Sequence, residues 1–100
     1  MPDRFGALRR FAGVATLILA LHDTLTDLPN RTLLADRIEQ AIAKVAEQGG
    51  CFALMFIDLD GFKPVNDRYG HATGDAILAA VGQRLQRAVR ASDTIARMGG

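Results

Sequence analysis

Residues 56–75 carry the side chains of this chain that are best suited to chemistry. They are two carboxylates, a lysine, an amide and a further carboxylate: Asp58, Asp60, Lys63, Asn66 and Asp75. Carboxylate oxygens suit Mg²⁺, which usually keeps several waters and also binds substrate phosphates. A lysine neutralises phosphate charge, and an amide offers both a donor and an acceptor to a purine. The segment therefore has the donors needed to hold a divalent metal, a phosphate chain and a purine.

Each of these residues also has a plain structural interpretation, and spacing alone leaves both open. Asp58 and Asp60 could cap the following turn or pair with Lys63 and Arg68. Asp75 could serve only to place a negative charge in the first turn of a helix, where the helix dipole favours it. Alternatively, the Asp75 carboxylate could accept from the N1–H and exocyclic amine of guanine, which adenine does not present in the same way. Asn66 could simply form a turn.

The elements before this segment are a turn and a helix. Pro29 favours a turn, and Asn30 or Thr32 can cap a helix. Apolar residues then recur at helical spacing, namely Leu34, Ile38, Ala41, Ile42 and Val45. Gly49 and Gly50 predict the end of this helix.

An apolar run predicts a strand directly before the polar cluster. Residues 51–59 are apolar except for Asp58, which favours a central strand buried on both faces. Pro64 allows at most a short helical turn nearby. Thr73 is a candidate N-cap for a helix of about four turns that starts near Ala76.

A second, short strand is predicted at residues 93–98, and a glycine pair after a strand usually opens a hairpin. The order helix, strand, helix, strand is typical of a sheet covered by helices. Two strands make a poor sheet by themselves. We therefore expect the first part of a larger α/β sandwich, incomplete at its C-terminal end.

The composition of the chain limits the classes of protein and partner that need to be considered. The chain has 100 residues, 49% hydrophobic and 23% charged, which fits one small globular domain. A net charge of +1 is too small to indicate nucleic acid or a membrane surface as a partner. The lone cysteine, Cys51, excludes an internal disulfide, favours a reducing cytoplasmic setting and is expected to pack in the interior.

The N-terminus, residues 1–22, allows three interpretations. Three arginines are followed by an uncharged run at residues 11–21, about half the ~20 residues that a membrane-spanning helix needs. It could be an amphipathic leading helix, the remainder of an upstream segment, or a signal or membrane anchor. We expect the domain proper to occupy residues 23–100.

Three segments together resemble the GGDEF family of diguanylate cyclases. Residues 25–31 (LTDLPNR) resemble its first motif, residues 56–75 its metal and guanine segment, and residues 97–100 (RMGG) the beginning of its signature loop. The resemblance spans residues 19–100. It implies an α/β (α+β) fold of the nucleotidyl cyclase or polymerase-palm type, a ferredoxin-like sandwich.

The resemblance also implies roles for single residues. Asp58 and the backbone carbonyl of Leu59 would bind Mg²⁺ or Mn²⁺, and Asp58 and Lys63 would be the catalytic residues. Lys63 would contact the triphosphate, and Asn66 and Asp75 would hydrogen-bond guanine. Phe62, otherwise an apolar anchor like Tyr69, joins the substrate-binding residues, and Asp60 would support the site structurally.

A second site is implied by Arg90 and Asp93, which resemble the family's inhibitory Arg-x-x-Asp motif. There an arginine fork and a carboxylate would bind the product, cyclic di-GMP. The plain alternative is an arginine at a helix C-terminus with a capping aspartate.

The implied activity is the condensation of two GTP molecules into cyclic di-GMP by a homodimer, in the cytoplasm or tethered to a membrane through the N-terminus. The chain stops after Gly99 and Gly100, before the acidic part of the signature, so we expect residues 1–100 alone not to turn over GTP. The alternatives are a non-catalytic sensor of GTP or cyclic di-GMP, possibly attached to a phosphodiesterase domain, and a purely structural dimerisation module.

Overall fold

The computed structural model describes residues 19–99, and its framework is helical. The helices are α1 (Arg31–Gln48), α2 (Phe62–Tyr69) and α3 (His71–Ala88), and residues 19–21 are helical too. Residues 1–18, the larger part of the segment 1–22 for which three interpretations were given, and Gly100 lie outside the described residues. No helix within residues 19–99 has the length and apolar character needed to cross a membrane.

Helix α1 begins and ends where the sequence predicts. Asn30 is its N-cap, and the Asn30 Oδ1 accepts a hydrogen bond from the backbone N–H of Leu33 at 3.1 Å. Gly49 closes the helix at φ 76°, a backbone conformation that glycine adopts without steric cost. Its N–H donates to the carbonyl of Val45 at 2.8 Å. Both ends are fixed by local signals.

Helices α2 and α3 form a corner with a single glycine between them. Pro64 lies in the first turn of α2, where its missing N–H costs no helical hydrogen bond. Gly70, at φ 90°, ends α2, and α3 starts at the next residue. The prediction of a start near Ala76 with a Thr73 cap was wrong: the Thr73 hydroxyl donates to the carbonyl of Tyr69 at 3.1 Å inside the corner.

The predicted strand at residues 51–59 is not formed as part of a sheet. No strand occurs within residues 19–99, and the apolar side chains of this segment are exposed: 79% for Met55, 77% for Phe56 and 67% for Ile57. The prediction that this segment is buried on both faces was therefore wrong. The predictions of an interior position for Cys51 and for Tyr69 were wrong too, since both residues are exposed. A strand needs a neighbour to satisfy its backbone, and these residues have none in the described part of the chain.

The second predicted strand, residues 93–98, also lacks a ladder. Instead, the backbone N–H of Arg97 donates to the carbonyl of Pro29 at 2.9 Å. The C-terminal segment thus hydrogen-bonds to the turn that precedes α1, and no ladder joins it to residues 51–59. The sandwich expected from the sequence is not observed within residues 19–99.

The turn before α1, residues 23–30, contains the most deeply buried hydrophobic side chain of residues 19–99. Leu28 is 4% exposed, the one buried hydrophobic residue within residues 19–99. It packs on α3 at Gly82, where an added Cβ would lie 3.2 Å from the Leu28 Cδ1. Asp23 N–H donates to the Leu28 carbonyl at 2.7 Å and closes the turn. This turn therefore joins α1, α3 and the C-terminal segment.

Candidate functional site

The two carboxylates that were predicted at the end of a strand lie instead in the irregular segment that leads into α2. Asp58 and Asp60 are exposed, and Leu59 between them is half-buried. Gly61 then takes a left-handed conformation, φ 74°, and turns the chain into the helix. The segment thus presents the two carboxylates to solvent next to the N-terminus of α2, with the backbone of Leu59 between them.

The donor set here fits a metal that arrives with a phosphate ligand. Hard oxygen donors suit Mg²⁺, which commonly needs only one or two protein carboxylates when phosphates and waters complete its shell. Within residues 19–99 no three His, Cys, Asp or Glu side chains come together as a metal cage. The residues present therefore fit Mg²⁺ bound with a nucleotide, and they do not form a self-sufficient metal site.

Lys63 and Phe62 occupy the first turn of α2. The side chain of Lys63 is exposed and makes no ion pair or hydrogen bond with the described residues, so its ammonium group is available to an anion. Phe62 is half-buried, as an anchoring aromatic residue would be. The plain interpretation in which Lys63 pairs with Asp58 or Asp60 is not what this structure shows.

Asn66 and Asp75 are brought to the same corner by the packing of α2 against α3. Asn66 lies on α2 and contacts Gly74, the neighbour of Asp75. The Asn66 Oδ1 is buried and has no hydrogen-bond partner within residues 19–99. Asp75 is exposed and lies in the second turn of α3, so its expected placement in the first turn was wrong. A turn role for Asn66 is excluded because the residue is helical.

Arg90 and Asp93 lie beyond the other end of α3. The Asp93 Oδ2 accepts a hydrogen bond from the backbone N–H of Arg90 at 3.0 Å, and the Asp93 N–H donates to the Arg90 carbonyl at 3.0 Å. Both residues are exposed, and the Arg90 guanidinium makes no ion pair or hydrogen bond within residues 19–99. Asp75 and the end of α3 at Ala88 are roughly 20 Å apart along the helix axis, so this turn is a separate place from the α2–α3 corner.

The ion pair between Asp23 and Arg97 was not predicted from the sequence. The Arg97 Nη1 lies 3.0 Å from the Asp23 Oδ1, and the Thr26 N–H and Oγ1 donate to the Asp23 Oδ2 at 2.9 and 2.7 Å. Burial acts to raise the pKa of Asp23, but the hydrogen bonds from Thr26 and Arg97 outweigh it and hold the pKa below its ordinary value. Local sequence contains no signal for a pair so far apart along the chain.

A shallow cavity of about 220 Å³ adjoins this ion pair. Asp23, Arg31, Arg97 and Gly99 are among its lining residues. The Arg31 guanidinium donates to the Met98 carbonyl at 3.4 Å across it. None of Asp58, Lys63, Asn66 and Asp75 lines it, so this cavity is distinct from the predicted nucleotide residues.

The arrangement belongs to a known class of signalling domain. The family described as "Diguanylate cyclase, GGDEF domain" matches residues 20–100. This chain belongs to that family.

Curated relatives support the same assignment. The chain is 60% identical over 82 residues to the bifunctional diguanylate cyclase/cyclic di-GMP phosphodiesterase MucR of Pseudomonas aeruginosa, a match that covers 82% of this chain and 12% of MucR. It is 44% identical over 81 residues to the diguanylate cyclase TpbB of the same species, covering 81% of this chain and 19% of TpbB. The chain thus spans less than a fifth of the length of either relative.

Solved structures agree with the sequence comparison. The GGDEF domain of TpbB from Pseudomonas aeruginosa superposes with a TM-score of 0.75 at 44% identity, covering 79% of this chain and 46% of that one. The coiled coil and GGDEF domain of DgcB from Caulobacter crescentus, solved in complex with c-di-GMP, gives a TM-score of 0.75 at 29% identity, covering 98% and 52%. The fold is that of GGDEF domains, of which residues 19–99 contain the helical first part.

Proposed function

We propose that the protein is a diguanylate cyclase that condenses two GTP molecules into cyclic di-GMP, and that this chain supplies its metal-binding and guanine-binding residues. The observation that supports this most strongly is the family match across residues 20–100, which includes the whole polar cluster. In addition, Asp58, Lys63 and Asp75 are exposed, as residues that meet a substrate must be.

The phosphate end of GTP is assigned to the segment that leads into α2. Asp58 and the Leu59 carbonyl would hold Mg²⁺, or Mn²⁺, and Lys63 would neutralise the triphosphate. When bound, this metal stabilises developing charge on the phosphates and lowers the pKa of the attacking hydroxyl. The contribution of Lys63 is electrostatic and positional, as is usual in phosphoryl transfer.

The guanine end is assigned to the corner between α2 and α3. The Asp75 carboxylate would accept from N1–H and the exocyclic amine, and the Asn66 amide would add a further hydrogen bond. Adenine has an acceptor at N1 and lacks the 2-amine, so it would leave the carboxylate unpaired. An unpaired polar group in a binding site discriminates strongly between substrates.

The reaction requires two copies of the domain. The 3′-hydroxyl of one GTP releases its proton to solvent as its oxygen bonds to the α-phosphorus of the other, the bond from that phosphorus to the bridging oxygen breaks, and pyrophosphate leaves with the electron pair. A second, identical step closes the ring. Each protomer of a cytoplasmic homodimer would present one GTP, and Arg90 with Asp93 would bind the product as an inhibitory site.

Cyclic di-GMP formation from GTP by the full-length gene product, with Mg²⁺ present, tests this function. Asp58→Asn is expected to reduce turnover by about 100-fold or more because a metal ligand loses its charge. Asp67→Asn is the matched control. Asp67 is exposed on α2 and has no proposed role, and its substitution removes the same charge. A protein that binds GTP without consuming it would instead be a sensor, and equal activities of the two variants would contradict the metal assignment.

A further inference from the structure

Gly74 lies at a position in α3 where glycine is unfavourable for the helix itself. It is buried within the helix, and its backbone needs no left-handed conformation. Glycine weakens a helix interior relative to alanine, because it loses more backbone freedom on folding. The reason for glycine here must therefore be the space that a side chain would fill.

The amide of Asn66 occupies that space. A Cβ added at Gly74 would overlap the Asn66 Oδ1, and it would lie 2.7 Å from the Asn66 Cγ. Both obstructing atoms belong to the amide group at the end of a side chain from the packed neighbouring helix. Gly74 thus forms a seat on α3 for the side chain of Asn66.

Shape, and not hydrogen bonding, holds this amide. The Asn66 Oδ1 is buried and accepts no hydrogen bond within residues 19–99. Because the oxygen faces the seat, the amide nitrogen is the atom left to meet a ligand. Asn66 contacts Gly74, which directly precedes Asp75, so the donor at Asn66 and the acceptor at Asp75 belong to the same corner.

We propose that Gly74 is a positioning residue that determines guanine specificity by seating Asn66 beside Asp75. The proposal rests on the proposed function, since it assigns Asn66 and Asp75 to guanine. It adds that the selectivity of the site depends on the absence of a side chain at a residue that does not touch the nucleotide.

Thermal unfolding of the full-length gene product tests the seat independently of nucleotide. Gly74→Ala is expected to lower the melting temperature when Asn66 is present and to raise it in an Asn66→Ala background, where the obstruction is gone. Gly82→Ala is the matched control on the same helix and should change the melting temperature equally in both backgrounds. Equal effects of Gly74→Ala in both backgrounds would overturn the seat. If Gly74→Ala fails to fold, folding of the double variant supports the seat and its failure overturns it.

Nucleotide binding tests the specificity role. Gly74→Ala is expected to weaken GTP binding by about tenfold or more and to reduce the preference for GTP over ATP by a similar factor. Asn66→Ala should do the same, and the double variant should be no worse than either one. Gly82→Ala should bind both nucleotides like the unmodified protein. An unchanged GTP/ATP preference in Gly74→Ala would overturn the proposal.

Failure of the proposed function gives a different result. In that case the unmodified protein does not bind GTP, which overturns the guanine role of Gly74 together with the function. The unfolding experiment still decides whether Gly74 seats Asn66, since that measurement contains no nucleotide.

Discussion

Arg97 binds Asp23 across 74 positions of the chain, with 3.0 Å between the Nη1 and the Oδ1. The same arginine donates its backbone N–H to the carbonyl of Pro29 at 2.9 Å. Residue 97 is two positions before Gly99, in the segment that resembles the start of the family's signature loop. The turn before α1 therefore holds the approach to that loop through both a side chain and a backbone contact.

Removing the Asp23 carboxylate should destabilise the protein measurably. Asp23→Ala leaves Arg97, the Thr26 hydroxyl and the Thr26 N–H without their acceptor, and the pair is only about one-fifth exposed. We expect a loss of about 1–3 kcal/mol in the free energy of unfolding. Urea unfolding of the full-length gene product measures it. Asp67→Ala, at an exposed aspartate outside this cluster, should change the free energy by less than about 0.5 kcal/mol.

The contribution of Asp23 should depend on pH in a defined direction. Its lowered pKa means that the folded state binds fewer protons than the unfolded state in the acidic range, so stability rises with pH there. The contribution is complete above about pH 5, which is above the ordinary aspartate pKa, and is lost as the pH falls through the lowered value. The free-energy difference between the unmodified protein and Asp23→Asn should therefore shrink below about pH 4.

Thr26→Val provides a second arm of the pH experiment. It removes one hydrogen bond that lowers the pKa of Asp23, so the loss of stability on acidification should be smaller in total and should be complete at a higher pH than in the unmodified protein. A difference between Asp23→Asn and the unmodified protein that stays constant from pH 7 to pH 2 would contradict the assigned cause.

The contact between Leu28 and α3 should be the costliest to remove in the turn. Leu28→Ala deletes the side chain that is 4% exposed and leaves a gap over Gly82, with an expected loss of about 2–4 kcal/mol. Thr24→Ala, at an exposed position of the same turn, should cost less than about 0.5 kcal/mol. Urea unfolding compares the two variants, and equal midpoints would show that Leu28 is not a packing centre.

Local signals account for what the sequence predicted correctly. The cap at Asn30 and the stop at Gly49 fixed α1, because each acts within a few residues of itself. The start of α3 was misplaced because Gly70 lets the chain resume a helix at once, which Thr73 does not reveal. The sequence pattern alone could not show whether strands form at residues 51–59 and 93–98, because a strand forms only with partners that are distant in sequence.

The sequence offered candidate site residues but not their geometry. Motif resemblance named Asp58, Asn66 and Asp75, and their roles stay predictions. Neither the seat at Gly74 nor the pair of Asp23 with Arg97 could be found from spacing. Both join residues from separate elements, and such contacts follow from packing, which a single sequence does not display.

The exposed apolar segment at residues 52–57 should make residues 1–100 self-associate when they are prepared alone. Phe56 and Met55 are more than three-quarters exposed, and the backbone of this segment has no ladder partner within residues 19–99. An unpaired apolar strand is a template for pairing with another copy. Sedimentation velocity should show a sedimentation coefficient that rises with protein concentration. Phe56→Lys should weaken the association by about tenfold or more, equivalent to about 1.4 kcal/mol, because a charge would be buried between the paired segments.

Leu19→Lys separates this effect from a general gain in solubility. Leu19 is 66% exposed and apolar, yet it lies outside the segment, so the same added charge there should leave the association unchanged. A monomer at every concentration would contradict the prediction, as would equal effects of the two lysines. A selective effect at Phe56 would show that residues 52–57 retain the tendency to pair that their sequence pattern indicates, and that they lack only a neighbouring strand.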